Sequence, residues 1–184
     1  MIAPRLARYS MTAIVLHWAI ALLIVGALGV GSFAADLPVS PTRLKLLIWH
    51  KWTGVTILGL MALRLAWRAG HRPPPGPPMP AWQTRAALGV HGLLYALAIA
   101  VPIAGWAYSN AAGFPVVWLG VLPLPDLLPA DKALAATAKA WHAALAWSLA
   151  ALVATHVAAA VWHQWIQRDR LLERMSPWPR RQAG

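Results

Sequence analysis

The sequence predicts an all-α integral membrane protein, built as a bundle of four transmembrane helices with up-down topology. Of its 184 residues, 59% are hydrophobic and only 11% are charged, a composition typical of membrane proteins. Four apolar runs are each long enough to cross a hydrocarbon core of about 30 Å. Many of the 12 tryptophans stand at the ends of these runs, as in an interfacial aromatic belt. The whole chain, residues 1–184, is predicted to form a single domain.

The four predicted spans cover residues 11–33, 45–67, 85–108 and 141–165. Residues 32–34, Ser-Phe-Ala, resemble a signal-peptidase site, so a cleaved signal is the rival interpretation of the first run. We expect a retained helix instead, because the run exceeds a signal-peptide apolar region of about 7–15 residues and contains His17. In the third span, Pro102 and Gly105 predict a kink or a close helix contact.

The connections between the spans have a different composition. The segment His71–Pro80 contains six prolines and is predicted to be a connector, with His71 facing solvent. The long connection Asn110–Lys139 has an apolar centre, residues 114–128, but its three prolines argue against a fifth span. We expect this connection to lie over the mouth of the bundle. No internal sequence repeat is evident beyond the up-down pattern.

The distribution of basic residues predicts the orientation. The leader, the second connection and the tail contain eleven: Arg5, Arg8, Arg64, Arg68, Arg72, Arg85, Arg168, Arg170, Arg174, Arg180 and Arg181. The opposite side contains five: Arg43, Lys45, Lys51, Lys132 and Lys139. Both termini are therefore predicted to be cytoplasmic.

Charge and cysteine content exclude several classes of function. The formal net charge is +11, but the charges flank apolar runs and form no basic face, so we do not expect a nucleic-acid-binding protein. The absence of cysteine excludes disulfides, Cys-ligated iron–sulfur clusters and covalent c-type haem attachment. Any haem would have to be held by histidine or methionine.

The last span carries a row of three histidines. His142 and His156 are fourteen residues apart, about 21 Å along a helix and about 40° around it. His163 follows about 10 Å further on, nearly on the same face, at the predicted cytoplasmic interface. Ionisable residues inside a span are candidates for function, so this spacing predicts two metal centres, one near each leaflet.

The predicted topology sorts the other histidines to the same two depths. The outer level contains His50 and His142, and the inner level contains His17, His91 and His156. A bis-histidine pair at each level would hold two haem irons in the core of a four-helix bundle. The alternative is that each histidine is only an interhelical hydrogen-bonding group. Five histidines at two matched depths favour the metal centres.

These features resemble the bacterial cytochrome b561 family of four-helix, dihaem membrane cytochromes, over nearly the whole chain. The matching motifs are His17-Trp18, His50-x-x-x-Gly54, Arg64-x-x-x-Arg68, His91-x-x-x-Tyr95, Pro102-x-x-Gly105, Lys139-x-Trp141-His142, His156, His163 and Asp169-x-x-Leu172-x-Arg174-Met175. The haem-bearing subunits of membrane hydrogenases and formate dehydrogenases are similar in the same helices.

The resemblance implies haem b ligation by His50 with His142 and by His17 with His156. It places His91 and His163 near the inner haem, where members bind quinone. It also implies a superoxide:ubiquinone oxidoreductase of the bacterial inner membrane, which oxidises superoxide on the periplasmic side and passes electrons through both haems to ubiquinone.

The basic residues fit this scheme in two ways. A positive field from the outer lysines and arginines would attract superoxide, with Arg43, Lys51 and Lys139 as the predicted catalytic residues. Arg64, Arg68 and the tail arginines are expected to pair with inner-haem propionates or lipid head groups.

Two other functions stay open. The same scaffold could be the haem b subunit of a larger dehydrogenase or hydrogenase, with a soluble redox protein as partner. A transporter could instead pass a transition metal or protons along the histidine row, since imidazole binds zinc and copper. The spans contain no carboxylate, which disfavours the transporter.

Overall fold

The computed structural model describes residues 7–76, 78–169 and 171–178. It contains four long helices: α1 (Met11–Asp36), α2 (Pro41–Gly70), α3 (Ala81–Ala111) and α4 (Lys132–Trp162). All four are long and apolar enough to cross a membrane, and each predicted span lies within one of them or its helical continuation. The predicted fold class, an all-α bundle of four membrane-spanning helices, is confirmed.

Short elements occupy the two ends of the bundle. Between α3 and α4, strands β1 (Val117–Trp118) and β2 (Leu122–Pro123) form a two-residue antiparallel ladder. At the other end, α4 continues as a π-helical turn, His163–Gln167, followed by a 3-10 helix, Leu171–Met175. We call the end with the β ladder the upper end, and the end with the 3-10 helix Leu171–Met175 the lower end. Arg5, Arg170, Arg180 and Arg181, which entered the predicted orientation, lie outside the described residues.

Polar caps define where three of the helices begin. The side chains of Ser10, Ser40 and Asp131 each accept a hydrogen bond from the backbone N–H three residues later, which satisfies one of the free donors of a helix N-terminus. Pro41 occupies the first turn of α2, where its missing N–H costs nothing. Helix α3 begins after Pro80 without a side-chain cap.

The start of α4 differs from the predicted span. Its helix begins at Lys132, nine residues before the predicted start at 141, because Asp131 caps an alanine-rich turn with high helix propensity. The predicted connection, Asn110–Lys139, included Lys132 and Lys139. In the structure both residues lie on helix α4. They are seven residues apart, on nearly the same face of α4.

The connection between α3 and α4 contains no further span, as predicted. It packs against α2, because the indole of Trp118 donates to Thr56 Oγ1 at 3.2 Å and the indole of Trp52 donates to the carbonyl of Val117 at 2.8 Å. The ladder reverses through Gly120, whose φ of +75° suits a residue without a side chain. The connection thus covers the upper end of α2.

The tail closes the lower end of the bundle. Arg174 is buried, and its guanidinium donates to the carbonyls of Ala7, Pro74 and Pro75 at 3.1, 2.8 and 2.8 Å. The indole of Trp18 also donates to the tail, at the carbonyl of Met175. The tail therefore joins the leader, α1 and the proline-rich connector. Backbone carbonyls accept from Nε and Nη2 of Arg174, and its expected pairing with a propionate or a lipid head group stays a prediction.

The apolar core lies between the two histidine levels. Its most buried members are Ile20, Ile24, Ile57, Met61, Ala98 and Leu149, which come from all four helices. Many large apolar side chains, such as Leu22 and Trp147, are instead exposed, as expected where a helix faces lipid. The central apolar cluster thus has a histidine group above it and another below it.

Candidate cofactor site

The upper histidine pair consists of His50 on α2 and His142 on α4. Their ring centroids are 6.0 Å apart and their planes are inclined by 79°. A metal–imidazole bond of about 2.0–2.1 Å puts the ring centroid about 3 Å from the metal, so two opposite ligands lie about 6 Å apart. The spacing of this pair fits one metal ion between the two rings.

Backbone carbonyls orient both rings of the upper pair. His50 Nδ1 is 3.1 Å from the carbonyl oxygen of Ala27, and His142 Nδ1 is 3.0 Å from that of Val101. A carbonyl only accepts hydrogen bonds, so Nδ1 carries the proton in each neutral ring and Nε2 keeps a free lone pair. Metal-ligating histidines usually show this arrangement, with the second ring nitrogen donating to a carbonyl or carboxylate. The donor chemistry therefore fits bis-imidazole ligation.

Two glycines make room for these rings. A Cβ atom at Gly31 would lie 2.7 Å from Cε1 of His50, and one at Gly105 would lie 2.9 Å from Cε1 of His142. Both separations are shorter than real Cβ contacts. The close helix contact predicted for Gly105 is therefore confirmed, and the group in contact is an imidazole. Gly31 was not among the predicted site residues.

An apolar cavity adjoins the upper pair. Its twelve lining residues form six matched positions: Ile24, Ala27 and Leu28 on α1 correspond to Ala98, Val101 and Pro102 on α3, and His50, Gly54 and Ile57 on α2 correspond to His142, Ala146 and Leu149 on α4. The interval is 74 residues for every α1–α3 match and 92 residues for every α2–α4 match. The hairpins α1–α2 and α3–α4 are therefore related by an approximate two-fold repeat.

The repeat corrects the expectation that the sequence contains none beyond its up-down pattern. It is hidden because most of the matched positions carry different apolar residues. Its signal was the equal spacing of histidine and glycine, since His17 precedes Gly31 by fourteen residues and His91 precedes Gly105 by the same number. At the lower level, the 74-residue interval matches His17 to His91. The 92-residue interval matches His156 to Arg64, so one of the two partners there is not a histidine.

The lower group brings three histidines together from α1, α3 and α4. The ring centroids of His17 and His156 are 6.3 Å apart, with planes inclined by 79°. Those of His91 and His156 are 5.3 Å apart, with planes inclined by 69°. In the described part of the chain, no three His, Cys, Asp or Glu side chains are arranged to hold a metal ion together.

Two arginines lie beside the lower group, around Tyr95. Arg64 Nε donates to the hydroxyl of Tyr95 at 2.9 Å, and Arg64 Nη1 donates to the carbonyl of Ala13 at 3.1 Å. The guanidinium groups of Arg64 and Arg68 lie 5.7 and 5.8 Å from the centroid of the Tyr95 ring. Arg64 on α2 therefore contacts α3 at Tyr95 and α1 at Ala13, one turn before His17. Two of its N–H groups are used in these hydrogen bonds. Tyr95 and Ala13 were not predicted to hold it.

The predicted catalytic cations all lie above the upper pair. Lys51 directly follows His50, and its Nζ donates to Ser109 Oγ at 3.2 Å and lies 5.9 Å from the ring centroid of Phe114. Arg43 stands two turns before His50 on α2, and Lys139 is exposed about one turn before His142 on α4. The Lys51 ammonium is thus held against the upper ends of α2 and α3.

His163 forms part of a dyad at the lower end. Its Nδ1 lies 2.5 Å from Asp169 Oδ2, and Asp169 Oδ1 accepts the backbone N–H of Leu171 at 3.1 Å. The π-helical turn and the left-handed conformation of Arg168, with φ of +54°, reverse the chain so that Asp169 returns to His163. Asp169 was noted as part of a motif, but its contact with His163 was not predicted.

Comparisons with known proteins agree over almost the entire chain. The family model described as prokaryotic cytochrome b561 matches residues 8–178. Cytochrome b561 homolog 2 and homolog 1 of Escherichia coli (strain K12) are each 33% identical over 172 residues, covering 91% and 92% of this chain and 90% and 97% of their own lengths. A protein of Yersinia pestis named probable superoxide oxidase CybB is 31% identical over 171 residues, covering 92% of this chain and 96% of its own length.

The family explains the composition of the site. A cytochrome of the b type carries haem b, and the paired neutral imidazoles within an apolar bundle have the donor chemistry that haem iron accepts. The fold, the paired imidazoles and the family match over residues 8–178 lead to one conclusion: this chain belongs to the prokaryotic cytochrome b561 family of membrane electron-transfer proteins.

Proposed function

We propose that the protein is a dihaem oxidoreductase that takes electrons from superoxide at the upper end and delivers them to ubiquinone at the lower end. The observation that carries this proposal is the presence of two histidine pairs at different depths, with ring separations of 6.0 and 6.3 Å and the same 79° inclination. Haem b, when bound, supplies a one-electron carrier at each pair.

The ligand assignment is His50 with His142 above, and His17 with His156 below. The rings of His17 and His156 reproduce the separation and inclination of the upper pair, whereas His91 stands closer to His156, at 5.3 Å. His91 then serves as a neighbour of the lower haem and not as its ligand.

The upper end is assigned to the periplasm and both termini to the cytoplasm, in a multi-pass protein of the bacterial inner membrane. The excess of arginine at the lower end supports this orientation. Lys51, Arg43 and Lys139 would then present positive charge to an anion that approaches from the periplasm. Superoxide loses one electron there and leaves as O₂. The name of the Yersinia pestis relative supports superoxide as the donor.

The quinone is assigned to the lower end, beside His163 and His91. Reduction of one ubiquinone to ubiquinol takes two electrons, from two superoxide anions, and two protons from the cytoplasmic side. When the His163 ring is protonated, Asp169 accepts its Nδ1–H and the Nε2–H can pass a proton to a quinone carbonyl; a proton from the cytoplasmic side then restores the imidazolium. Arg64 and Arg68, around Tyr95 beside the lower group, would supply positive partners for the propionates.

The test combines haem counting with rapid kinetics on the purified protein. A pyridine haemochrome assay should give two haems b per chain, falling to one in His50→Ala and in His142→Ala. His71→Ala is the matched control, because His71 stacks on Trp67 outside the bundle core. In a stopped-flow instrument, superoxide should reduce the haems of the wild type and ubiquinone should reoxidise them.

Each alternative outcome has a clear meaning. One haem per chain, or both haems retained in His50→Ala, would overturn the ligand assignment. Haems that superoxide fails to reduce would overturn the donor, and co-purification of a soluble redox protein would then support a haem subunit of a larger dehydrogenase. A colourless protein that contains zinc would support a metal transporter.

A further inference from the structure

We propose that Gly31 and Gly105 are matched positioning residues, which let the backbone of one helix orient the haem ligand of the next. Gly31 on α1 faces the ring of His50, and Gly105 on α3 faces the ring of His142. The inference rests on the ligation of the upper haem by His50 and His142, as proposed above. It adds a cause for the orientation of those two rings.

The geometry of each glycine is tied to the carbonyl that holds the ring. The acceptors are the carbonyls of Ala27 and Val101, each four residues before the glycine. In an α-helix such a carbonyl already accepts the N–H of the residue four positions later, here the glycine itself. Its second lone pair can reach an imidazole only if no side chain on that residue stands in the way. The methyl group of an alanine at position 31 would lie 2.7 Å from His50 Cε1, so the ring would have to move.

The two halves of the approximate repeat use the same device. Ala27 and Gly31 stand 74 residues before Val101 and Gly105, and His50 stands 92 residues before His142. Other glycines in these helices do not approach a ring. At Gly29 on α1 and Gly59 on α2, an added Cβ would meet nothing within 4 Å. General packing of small residues therefore does not explain Gly31 and Gly105.

The hydrogen bond has two expected effects on the upper haem. It fixes Nδ1 as the protonated nitrogen, so that both Nε2 atoms are available as ligands. It also makes the imidazole a stronger donor, which favours the oxidised iron and lowers the reduction potential. Without it, the ring must move away from the helix, so haem retention weakens and the reduction potential rises.

The experiment compares Gly31→Ala and Gly105→Ala with Gly29→Ala and Gly59→Ala in the full-length protein. The readouts are haem per chain, the reduction potential of each haem by spectroelectrochemical titration, and the low-spin electron paramagnetic resonance signals. Both site variants should retain the upper haem about 10- to 100-fold more weakly, or hold it at a higher potential with an altered signal. The lower haem should be unchanged, and both control variants should resemble the wild type.

Two results would overturn the inference. One is a Gly31→Ala or Gly105→Ala protein with wild-type haem content, potentials and resonance signals. The other applies if Gly31→Ala fails to accumulate, and it comes from the double variant with His50→Ala. If Gly31 only makes room for His50, Gly31→Ala should be harmless in a His50→Ala background and the lower haem should be retained. A double variant that accumulates less than His50→Ala alone would contradict this.

The outcomes also separate this inference from the proposed ligation. If His50→Ala keeps both haems, the ligand assignment fails, whatever the glycine variants do. If His50→Ala loses the upper haem while Gly31→Ala remains like the wild type, the ligation stands and the positioning role of the glycine fails.

Discussion

At the scale of single residues, the lower group poses a choice that the upper pair does not. Both His17 and His91 lie within ring-contact distance of His156. Bis-imidazole ligation would use two of the three rings, so the third imidazole would have another role. The separations of 6.3 and 5.3 Å favour His17 as the ligand, since the upper pair stands at 6.0 Å.

We expect His17→Ala to lose the lower haem and His91→Ala to keep it. The pyridine haemochrome assay should give about one haem per chain in the first variant and about two in the second. In both variants the upper haem should keep its spectrum, because His50 and His142 are untouched. If His91→Ala loses a haem while His17→Ala retains two, the lower ligands are paired wrongly.

A second residue-scale prediction concerns the dyad of His163 and Asp169. Asp169→Asn keeps the shape of the side chain but removes the charge that faces His163 Nδ1. Because general acid catalysis contributes about 10²–10⁴-fold, we expect His163→Ala to slow haem reoxidation by ubiquinone about 100-fold, and Asp169→Asn to slow it less. Stopped-flow traces after reduction by superoxide measure this directly.

The control for the dyad is Asp36→Asn, at the upper end of α1. All three variants should keep both haems. His163→Ala and Asp169→Asn should keep the wild-type rate of reduction by superoxide, because the dyad lies at the opposite end from electron entry, and Asp36→Asn should keep the wild-type rate of reoxidation by ubiquinone. Unchanged reoxidation in a haem-replete His163→Ala protein would remove this residue from the quinone site.

At the scale of elements, the tail acts as a fastener for the lower end. One buried side chain, Arg174, bonds to carbonyls of the leader and of the proline-rich connector, and lies 5.5 Å from the ring centroid of Tyr9. Arg8 returns the interaction by donating to the carbonyl of Ser176. Two arginine side chains thus join segments that are far apart in sequence. Because their acceptors are backbone carbonyls, the residue types at the acceptor positions matter little.

Arg174→Met should destabilise the protein, because the carbonyls of Ala7, Pro74 and Pro75 lose their charged donor. Hydrogen bonds to charged groups contribute about 1.5–3 kcal/mol each, but water can replace much of the donor at the exposed residues Ala7 and Pro75, so we expect a loss of about 3 kcal/mol. Thermal melting in detergent, followed at the haem absorbance, should show a lower midpoint. Arg72→Ala, in an exposed part of the same connector, is the control. An unchanged midpoint in Arg174→Met would show that the tail does not fasten the lower end.

At the scale of the whole molecule, the approximate repeat is kept at the upper level and broken at the lower one. His50 and His142 are repeat partners, but the partner of His156 is Arg64, which joins α1, α2 and α3 beside His17. A fixed guanidinium, that of Arg64, therefore lies beside the lower histidine pair, at a position whose repeat partner is a histidine. Such a charge favours the reduced iron and would pull electrons toward the lower end.

Arg64→Met should lower the reduction potential of the lower haem and leave the upper one unchanged. We expect a shift of roughly 60 mV, a tenfold change in the one-electron equilibrium. Spectroelectrochemical titration of both haems measures it, and Arg72→Ala serves again as the control. A lower haem with its wild-type potential would mean that Arg64 is too well screened to bias electron flow.

Much of the whole-molecule result follows from the sequence alone. Four apolar runs of sufficient length determine the number of spanning helices, because a backbone in lipid must satisfy its own hydrogen bonds. Helical periodicity then sorts the histidines into two depths, and the structure indeed brings His50 to His142 and His17 to His156. The number of haems, their ligands, the electron donor and the orientation stay predictions.

Only the tertiary structure decided which group faces each histidine. The carbonyls of Ala27 and Val101 carry no sequence signature, since every residue has a carbonyl, and they meet the imidazoles only because Gly31 and Gly105 allow two helices to approach. Asp169 likewise reaches His163 through a π-helical turn that no periodicity predicts. A sequence determines which side chains share a helix and a depth, because those depend on local geometry. Contacts between helices depend on how closely the backbones pack, which is settled only when all four helices have come together.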